Sequence, residues 1–253
     1  MSENRVDREL PRTGAAAAAL SGVVDVNTLD GEQAQALLPD EEVQDAAQRL
    51  YRRYGYRFAK RSFDIVFSLL VFLLFWWLFL ITAIAIRLDS PGPAVFKQVR
   101  VGKDGKLFRM WKFRSMYTDA EERLEELQEL NEKDGPVFKI KNDPRVTRVG
   151  KWIRKLSIDE FPQFVNVLRG DISIVGPRPA LPREVEQYTE RQRQRLLCPQ
   201  GITCYWQTRR NRDDISFDEW VDLDLLYIEQ SSVKTDLKLI IQTVGVALTA
   251  QGN

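Results

Sequence analysis

Residues 65–86 form an apolar run without a charged side chain, and this run constrains the fold more than any other feature of the sequence. Its length passes the ~18 residues that indicate a membrane helix and comes close to the ~20 that cross a bilayer core. A buried helix of a soluble protein is the alternative, although core helices seldom run so long without a polar face. A cleaved signal peptide is disfavoured, because the run lies far from residue 1 and no small-residue cleavage site follows it.

Basic residues flank the run on both sides. They are Arg49, Arg52, Arg53, Arg57, Lys60 and Arg61 before it, and Arg87, Lys97, Arg100, Lys103 and Lys106 after it. Lys and Arg beside a membrane segment favour the cytoplasmic side. A straight crossing places only one end there, whereas a re-entrant hairpin places both. No Pro or Gly lies between Gly55 and Pro91 to make a bend, and Trp76 and Trp77 occupy the midpoint, where a crossing helix seldom has Trp. The residues alone leave the topology open.

The chain divides into three parts around this run. Residues 1–40 carry an Ala run and few large apolar groups, which predicts a disordered arm. Residues 41–88 hold a basic, helix-compatible lead-in and the membrane helix. Residues 89–253 form the remaining domain, whose patterns predict an α+β fold rich in helix.

Several local signals place elements in residues 89–253. They are a hairpin at Asp104-Gly105 between residues 95–101 and 107–114, an acidic solvated helix over 119–134, an amphipathic helix over 160–169 ended by Gly170, a helix capped by Ser216 and Glu219, and an amphipathic helix over 237–248. The predicted fold is therefore a helix-rich domain that follows a membrane helix.

Composition narrows the chemistry. The sequence has no histidine, which excludes Ser-His-Asp and Cys-His catalysis and every imidazole metal site. Its 37 Lys and Arg residues against 36 Asp and Glu leave a net charge of +1, so no global field marks a general nucleic-acid binder. Cys198 and Cys204 are too few for a disulfide framework and fit no zinc spacing. We interpret them as small packed residues in a reducing compartment.

Asp159 and Glu160 are the first candidates for chemistry. Neighbours on a helix point about 100° apart, so these carboxylates could divide the work, one attacking and the other binding a metal. They also lie at a helix start, which favours anions such as phosphate. The structural alternative is a capping box, because Ser157-x-x-Glu160 fits that pattern.

Four cationic positions could bind phosphate. Lys112 and Arg114 share one face of a predicted strand and could clamp a diphosphate, or they could be solvated strand charge. Arg178 lies in the rigid loop Gly176-Pro177-Arg178-Pro179, which a structural turn explains equally well. Arg145 opens a basic run that an anionic lipid surface would also explain. Together with the carboxylates and the membrane helix, these positions suggest phosphoryl chemistry at a bilayer surface.

The order of the motifs resembles that of the bacterial sugar transferase family, specifically its monotopic polyprenyl-phosphate phosphoglycosyl transferases. The resemblance covers roughly residues 58–250. It is carried by Lys60-Arg61-Ser62-Phe63-Asp64, Asp89-Ser90-Pro91-Gly92-Pro93, Lys112-Phe113-Arg114-Ser115-Met116, Asp143-Pro144-Arg145, Ser157-Ile158-Asp159-Glu160-Phe161-Pro162-Gln163, Asn166-Val167-Leu168-Arg169-Gly170-Asp171 and Gly176-Pro177-Arg178-Pro179.

The resemblance implies a monotopic protein of the bacterial inner membrane, with a re-entrant or spanning helix, amphipathic interfacial helices and a catalytic domain on the cytoplasmic face. Such an enzyme transfers a sugar 1-phosphate from a UDP-sugar to undecaprenyl phosphate, releases UMP and initiates exopolysaccharide, capsule or glycoconjugate synthesis. Its partners would be both substrates, the lipid bilayer, downstream glycosyltransferases and a second copy in a homodimer.

By position, the resemblance makes Asp159 the nucleophile that forms an aspartyl phosphosugar. It assigns Glu160 and Asp224 to Mg²⁺. Lys112, Arg114, Arg145, Arg178 and Arg210 would bind substrate.

Three departures from the family pattern stand out. Trp76-Trp77 replaces the Ser-Pro that usually breaks the membrane helix, and Cys204 replaces a glycine in Gly201-Ile202-Thr203-Cys204. The third departure is Arg209-Arg210-Asn211, at a position where the family commonly has Gly-Arg-Asn. The last two departures leave the identity of the sugar open. A catalytically silent scaffold and a basic membrane-binding domain are the alternatives of other classes.

Overall fold

A computed structural model of the chain describes residues 40–209 and 214–248. The predicted arm, apart from Asp40, and the predicted substrate residue Arg210 therefore lie outside the described residues. Asp40 begins the first helix, α1 (Asp40–Arg52). Val43, Ala46 and Leu50 are buried, and their spacing of three and four residues gives α1 one apolar face.

The predicted membrane segment forms part of one long helix, α2 (Tyr54–Asp89). It is the one helix within the described ranges that is long and apolar enough to cross a membrane. The helix continues without interruption through Trp76 and Trp77, so its backbone contains no break at the position where the family pattern has Ser-Pro. Many of its large apolar side chains are exposed, including Leu73, Trp76 and Ile81.

The same globular domain contacts α2 along its whole length. Near the N-terminal end, Asp64 accepts hydrogen bonds from the backbone N–H of Ile174 (3.0 Å) and the hydroxyl of Ser173 (3.1 Å). At the C-terminal end, Asp89 accepts one from the N–H of Val149 (2.9 Å). Between them the Phe79 ring packs on two rings of the domain, those of Phe113 and Phe161. The helix is therefore built into the domain rather than tethered to it.

The hairpin predicted at Asp104-Gly105 is confirmed. Strands β1 (Val95–Val101) and β2 (Leu107–Phe113) pair antiparallel, with Val95 opposite Phe113 and Val101 opposite Leu107. Asp104 and Gly105 have φ values of 55° and 77°. Asp and Gly tolerate this left-handed region better than other residues, which is why this pair turns the chain here.

The remaining elements pack around a second, two-stranded parallel sheet formed by β3 and β4. The other helices and strands are α3 (Arg148–Lys155), α4 (Gln163–Arg169), β3 (Ser173–Val175), α5 (Pro182–Glu186), α6 (Glu190–Arg193), β4 (Gly201–Thr203), α7 (Phe217–Gln230) and α8 (Val233–Leu248). A main core surrounds α7, and a smaller one joins Ile86 of α2 to Phe113 and Ile153. The cysteines are buried free thiols, as predicted.

The predicted start of α7 and end of α4 are confirmed. The other two amphipathic helix starts differ, because α4 begins at Gln163 rather than at residue 160 and α8 begins at Val233 rather than at residue 237. The acidic segment differs in type. Ser216 and Glu219 form the capping box that begins α7, and Gly170 ends α4 with φ 83°. The acidic stretch forms a 3₁₀ helix, Glu122–Leu130, instead of an α-helix. Its leucines recur every third residue, which matches the 3.0 residues per turn of a 3₁₀ helix.

Candidate functional site

A cavity of about 570 Å³ opens between the hairpin, the turn before α4 and the loop after β3. Its wall contains four of the predicted site residues in close proximity: Lys112, Asp159, Glu160 and Arg178. The loop is held in place by tight backbone packing, because a Cβ atom on Gly176 would lie 2.2 Å from the carbonyl oxygen of Pro199. Arg178 therefore projects from a backbone with little freedom to move.

Asp159 and Glu160 lie on a single 3₁₀ turn, Ile158–Glu160. The capping-box alternative is wrong, because the Ser157 side chain caps nothing. Ser157 instead adopts φ 54°, a left-handed conformation that costs a residue with a Cβ about 1 kcal/mol or more. This turn directly precedes Asp159 and Glu160, and both residues line the cavity.

Glu160 is neutralised by two cations. The Nζ atom of Lys112 lies 2.9 Å from Oε1 of Glu160, and Nη1 of Arg178 lies 3.5 Å from the same oxygen. Burial alone would raise the pKa of Glu160, but Lys112 and Arg178 outweigh it and lower that pKa to about 2. Glu160 therefore stays ionised and holds both cations beside Asp159.

Asp159 has no such partner. Among the residues that the structure describes, no side chain forms a salt bridge or a hydrogen bond with its carboxylate. Burial raises the pKa of Asp159 to about 6, an effect that Lys112 partly offsets and Glu160 reinforces. The two neighbouring carboxylates are thus in different states, one bound to cations and one left available in the cavity wall. The expectation that Asp159 attacks and Glu160 binds a metal stays a prediction.

Arg100 is a site residue that the sequence reasoning missed, since it was counted only as a membrane flank. It lines the cavity, and its guanidinium donates to the carbonyl oxygen of Pro179 at 3.0 Å. Burial and the nearby Arg178 lower its pKa to about 10. The alternation of side chains along the strands could have identified Arg100. Phe96 pairs with Lys112, and Arg100 pairs with Phe108. Because side chains two or four residues apart on a strand point to the same face, Arg100 and Lys112 lie on one face of the hairpin.

Arg114 lies in the cavity wall, but the expected clamp with Lys112 does not form. Its guanidinium donates to the carbonyl oxygens of Ser90 (2.8 Å), Pro91 (2.7 Å) and Pro93 (2.7 Å). These bonds fix the turn that ends α2. Backbone carbonyls thus engage all three guanidinium nitrogens, so Arg114 supports the cavity wall from behind.

Arg145 is engaged in a similar way. Its guanidinium forms a bidentate pair with Asp143, at 2.9 and 2.6 Å, and donates to the carbonyl oxygen of Ala120 at 3.2 Å. The side chain is buried, although it lines the cavity. In the Asp143-Pro144-Arg145 segment, the two charged side chains therefore pair with each other, and the turn shapes the cavity.

Asp224 lies in the interior of α7 and is not a cavity residue. It is fully buried, and its Oδ2 atom lies 2.5 Å from Nη2 of Arg195. Burial raises the pKa of Asp224 to about 6, although Arg195 pulls it down. Within the described ranges, no three His, Cys, Asp or Glu side chains converge on a point where a metal could bind. The structure does not bring Asp224 and Glu160 together as ligands.

Comparisons with known proteins show what the chain is similar to. The family model described as "Bacterial sugar transferase" matches residues 55–250. The chain is 43% identical over 202 residues to the galactosyl transferase CpsE of Streptococcus agalactiae, which covers 80% of this chain and 45% of CpsE. It is 40% identical over 203 residues to the undecaprenyl-phosphate galactose phosphotransferase of Salmonella typhimurium, an alignment that covers 78% of this chain and 42% of that relative.

A further relative is the UDP-glucose:undecaprenyl-phosphate glucose-1-phosphate transferase of Escherichia coli, 40% identical over 196 residues (74% of this chain, 40% of the relative). The chain spans less than half the length of each of these three relatives.

Proposed function

The chain belongs to the bacterial sugar transferase family, and we propose that it transfers a sugar 1-phosphate from a UDP-sugar to undecaprenyl phosphate, releasing UMP. The observation that carries the proposal is the pair of adjacent carboxylates in different states, Asp159 unpaired and Glu160 bound by Lys112 and Arg178. A free carboxylate held beside fixed cations suits attack on a phosphorus atom, because the cations offset the charge that repels the attack.

The proposed reaction has two steps at one phosphorus. An oxygen of the Asp159 carboxylate attacks the β-phosphorus of the UDP-sugar, and the bond to the bridging oxygen breaks, so UMP leaves with that oxygen. The product is an aspartyl phosphosugar. A phosphate oxygen of undecaprenyl phosphate then attacks the same phosphorus and releases the Asp159 carboxylate. Lys112 and Arg178, with Arg100 behind them, bind the phosphate oxygens in both steps.

Mg²⁺ is the proposed cofactor, and the donor set fits it in part. Mg²⁺ in phosphate-binding sites is commonly held by one or two carboxylates plus substrate phosphates, and the cavity offers Asp159 and Glu160. Asp224 does not fit, because its carboxylate is buried against Arg195 outside the cavity wall. When bound, Mg²⁺ would neutralise phosphate charge beside Glu160.

We propose the class of the donor sugar and not its individual identity. Two of the relatives above are named for galactose and one for glucose, which differ only in the orientation of one hydroxyl group. We propose a hexose or an N-acetylated hexose as the donor sugar, and initiation of surface polysaccharide synthesis as the role. The homodimer, downstream glycosyltransferases and inner-membrane location remain predictions.

A screen for UMP release tests this function. Purified protein is mixed with undecaprenyl phosphate, Mg²⁺ and, in turn, UDP-glucose, UDP-galactose and their N-acetyl forms. With at least one donor, we expect at most one equivalent of UMP per protein from the UDP-sugar alone. Continued release of UMP should require undecaprenyl phosphate. Addition of a metal chelator should stop the release of UMP. Lipid binding without UMP release from any donor would instead favour the membrane-binding alternative.

We further propose that both ends of α2 lie on the cytoplasmic face. Because the helix has no break at Trp76 and Trp77, it would lie along the membrane interface rather than turn back as a hairpin. The supporting observation is that one domain contacts the helix at Asp64 and again at Asp89. A straight crossing would carry one of these polar contact sets through the hydrocarbon core, where polar groups without water are costly. Exposed Trp152 on α3 and Ile241 on α8 suit helices that lie in the bilayer interface.

Cysteine labelling tests the topology. Arg52→Cys and Lys106→Cys place thiols at exposed positions on either side of α2, while the native cysteines are buried and should give little background. In inside-out vesicles, an impermeant thiol reagent should label both variants, and in right-side-out vesicles it should label neither. Opposite accessibility of the two positions would contradict the proposed topology and indicate a spanning helix.

A further inference from the structure

The motif Lys60-Arg61-Ser62-Phe63-Asp64 takes no part in the proposed chemistry. It lies near the start of α2, a helix that across its described length, Tyr54–Asp89, contributes no side chain to the cavity wall. Three side chains of the motif nevertheless bind the domain. Lys60 and Asp64 lie four residues apart on one face of the helix, with Arg61 beside them. Their contacts reach the two segments that carry the site.

Lys60 and Asp64 hold β3, the strand that leads into the Arg178 loop. The ammonium group of Lys60 donates to the carbonyl oxygen of Val175 at 3.0 Å, and Asp64 accepts from the N–H of Ile174 at 3.0 Å. Val175 is the last residue of β3, and only Gly176 and Pro177 separate it from Arg178. The end of β3 is therefore fixed to α2 immediately before the loop begins.

The Lys60 ammonium group is itself held in place. It donates to Oδ2 of Asp236 on α8 at 3.0 Å and to the hydroxyl of Tyr227 on α7 at 3.1 Å. That hydroxyl donates in turn to Oδ1 of Asp236 at 2.8 Å. Together with the Val175 carbonyl, these partners use the three donors of an ammonium group, so Lys60 is fully satisfied in this arrangement.

Arg61 holds the other segment, α4. Its Nη1 atom donates to the carbonyl oxygen of Val167 at 2.5 Å, and its Nη2 atom donates to that of Leu168 at 2.7 Å. These carbonyls belong to the last turn of α4, where a helix has unpaired acceptors and favours a cation. Because α4 begins at Gln163, directly after the turn that carries Glu160, a shift of the helix would move that carboxylate as well.

The segment from Glu160 to Arg178 forms a loop whose two ends meet in the site. It leaves Glu160 as α4, turns at Gly170 and returns as β3 to Arg178, whose Nη1 atom lies 3.5 Å from Oε1 of Glu160. Arg61 binds the α4 limb, and Lys60 binds the β3 limb. Because these two residues are neighbours on one helix, they fix the two limbs relative to each other.

We propose that Lys60, Arg61 and Asp64 form a brace that positions Arg178 against Glu160 for the transfer reaction. This inference rests on the proposed function and adds residues that act on the site from outside it. They are positioning residues, since they contact β3 and α4 rather than substrate. Such residues matter for the rate, because a displacement of about 1 Å in a site can lower it by about a hundredfold.

The test variant combines Lys60→Met with Asp236→Asn. The first change removes the bond to the Val175 carbonyl, and the second avoids leaving a buried carboxylate unpaired, which would itself destabilise the fold. We expect kcat for UMP release to fall by about ten- to a hundredfold. Arg57→Met is the matched control, because Arg57 is an exposed cation of α2 that bonds the carbonyl oxygen of Tyr51 on α1, and it should leave kcat unchanged.

A double-mutant cycle separates positioning from folding. In an Arg178→Ala background, the paired replacement of Lys60 and Asp236 should lower kcat only about twofold, because the group that the brace positions is already gone. An equal fold-loss in both backgrounds would overturn the proposal, since a general weakening of the fold does not depend on Arg178. Arg61→Met leaves no charge unpaired, because its partners are neutral carbonyls, and it should lower kcat by about tenfold. An unchanged kcat in this variant would overturn the proposal as well.

Amide hydrogen exchange of the full-length protein in nanodiscs measures the brace without turnover. The paired replacement should speed exchange over residues 173–180 by about fivefold, the factor for one lost hydrogen bond. Exchange in α3, which α2 contacts at its other end through Asp89, should stay unchanged. Unchanged exchange over 173–180, or equal acceleration in both segments, overturns the brace. A local acceleration supports it even if no UDP-sugar is turned over, so failure of the brace and failure of the proposed function give different results.

Discussion

Replacing Asp159 by asparagine is expected to lower UMP release by about ten-thousand-fold or more, the scale seen when an enzyme loses its nucleophile. Asparagine keeps the size and shape of the side chain but lacks the anionic oxygen that would attack the β-phosphorus. Because Lys112 and Arg178 bind Glu160 and not Asp159, their positions should survive the substitution. The measurement is the initial rate of UMP release with the best donor from the screen.

The mass of the intact protein tests directly whether Asp159 forms the covalent intermediate. Incubated with UDP-sugar alone, the wild-type protein should gain the mass of one sugar phosphate, and the Asp159→Asn protein should gain none. Asp119→Asn is the matched control, because Asp119 is an exposed aspartate whose carboxylate is 4.0 Å from Arg123. Activity near the wild-type level in Asp159→Asn, or an adduct on another residue, would remove Asp159 from the nucleophile role.

Replacing Asp224 by asparagine is expected to destabilise the protein by about 3 to 5 kcal/mol, the usual cost of breaking a buried ion pair. The substitution leaves the Arg195 guanidinium charged, 4% exposed and without its carboxylate partner. For a domain of this size, such a loss lowers the thermal midpoint by roughly 10 °C. Intrinsic tryptophan fluorescence in detergent reports the midpoint directly.

A second aspartate of the same helix supplies the control. Asp222 also pairs with an arginine, Arg191, at 2.7 Å, but Arg191 is 31% exposed and can return to water when its partner is lost. Asp222→Asn should therefore cost less than half as much. The Mg²⁺ concentration for half-maximal activity separates the two roles considered for Asp224. An unchanged value supports the ion pair, and a raised value would restore Asp224 as a metal ligand.

Local patterns predicted the elements well, because each depends on neighbouring residues. Asp104-Gly105 predicted the turn of the hairpin, Ser216 with Glu219 predicted the start of α7, and the uncharged run predicted α2. The acidic helix was misjudged in type, since its leucines recur every three residues and fit a 3₁₀ helix. Arg100 was missed because its role depends on strand pairing, which a linear reading of charge does not include.

The sequence by itself determined the long apolar helix, the hairpin and the adjacent carboxylates, since these follow from periodicity, turn chemistry and the order of motifs along the chain. Only the tertiary structure decided which charged groups are free. Lys112 binds Glu160, whereas backbone carbonyls occupy Arg114, Asp143 occupies Arg145 and Arg195 occupies Asp224. The reason is physical: an unpaired buried charge is costly, so most buried charges pair with a group within about 4 Å, and Asp159 is the exception in the cavity wall. Which partner it finds depends on residues distant in sequence that packing brings together.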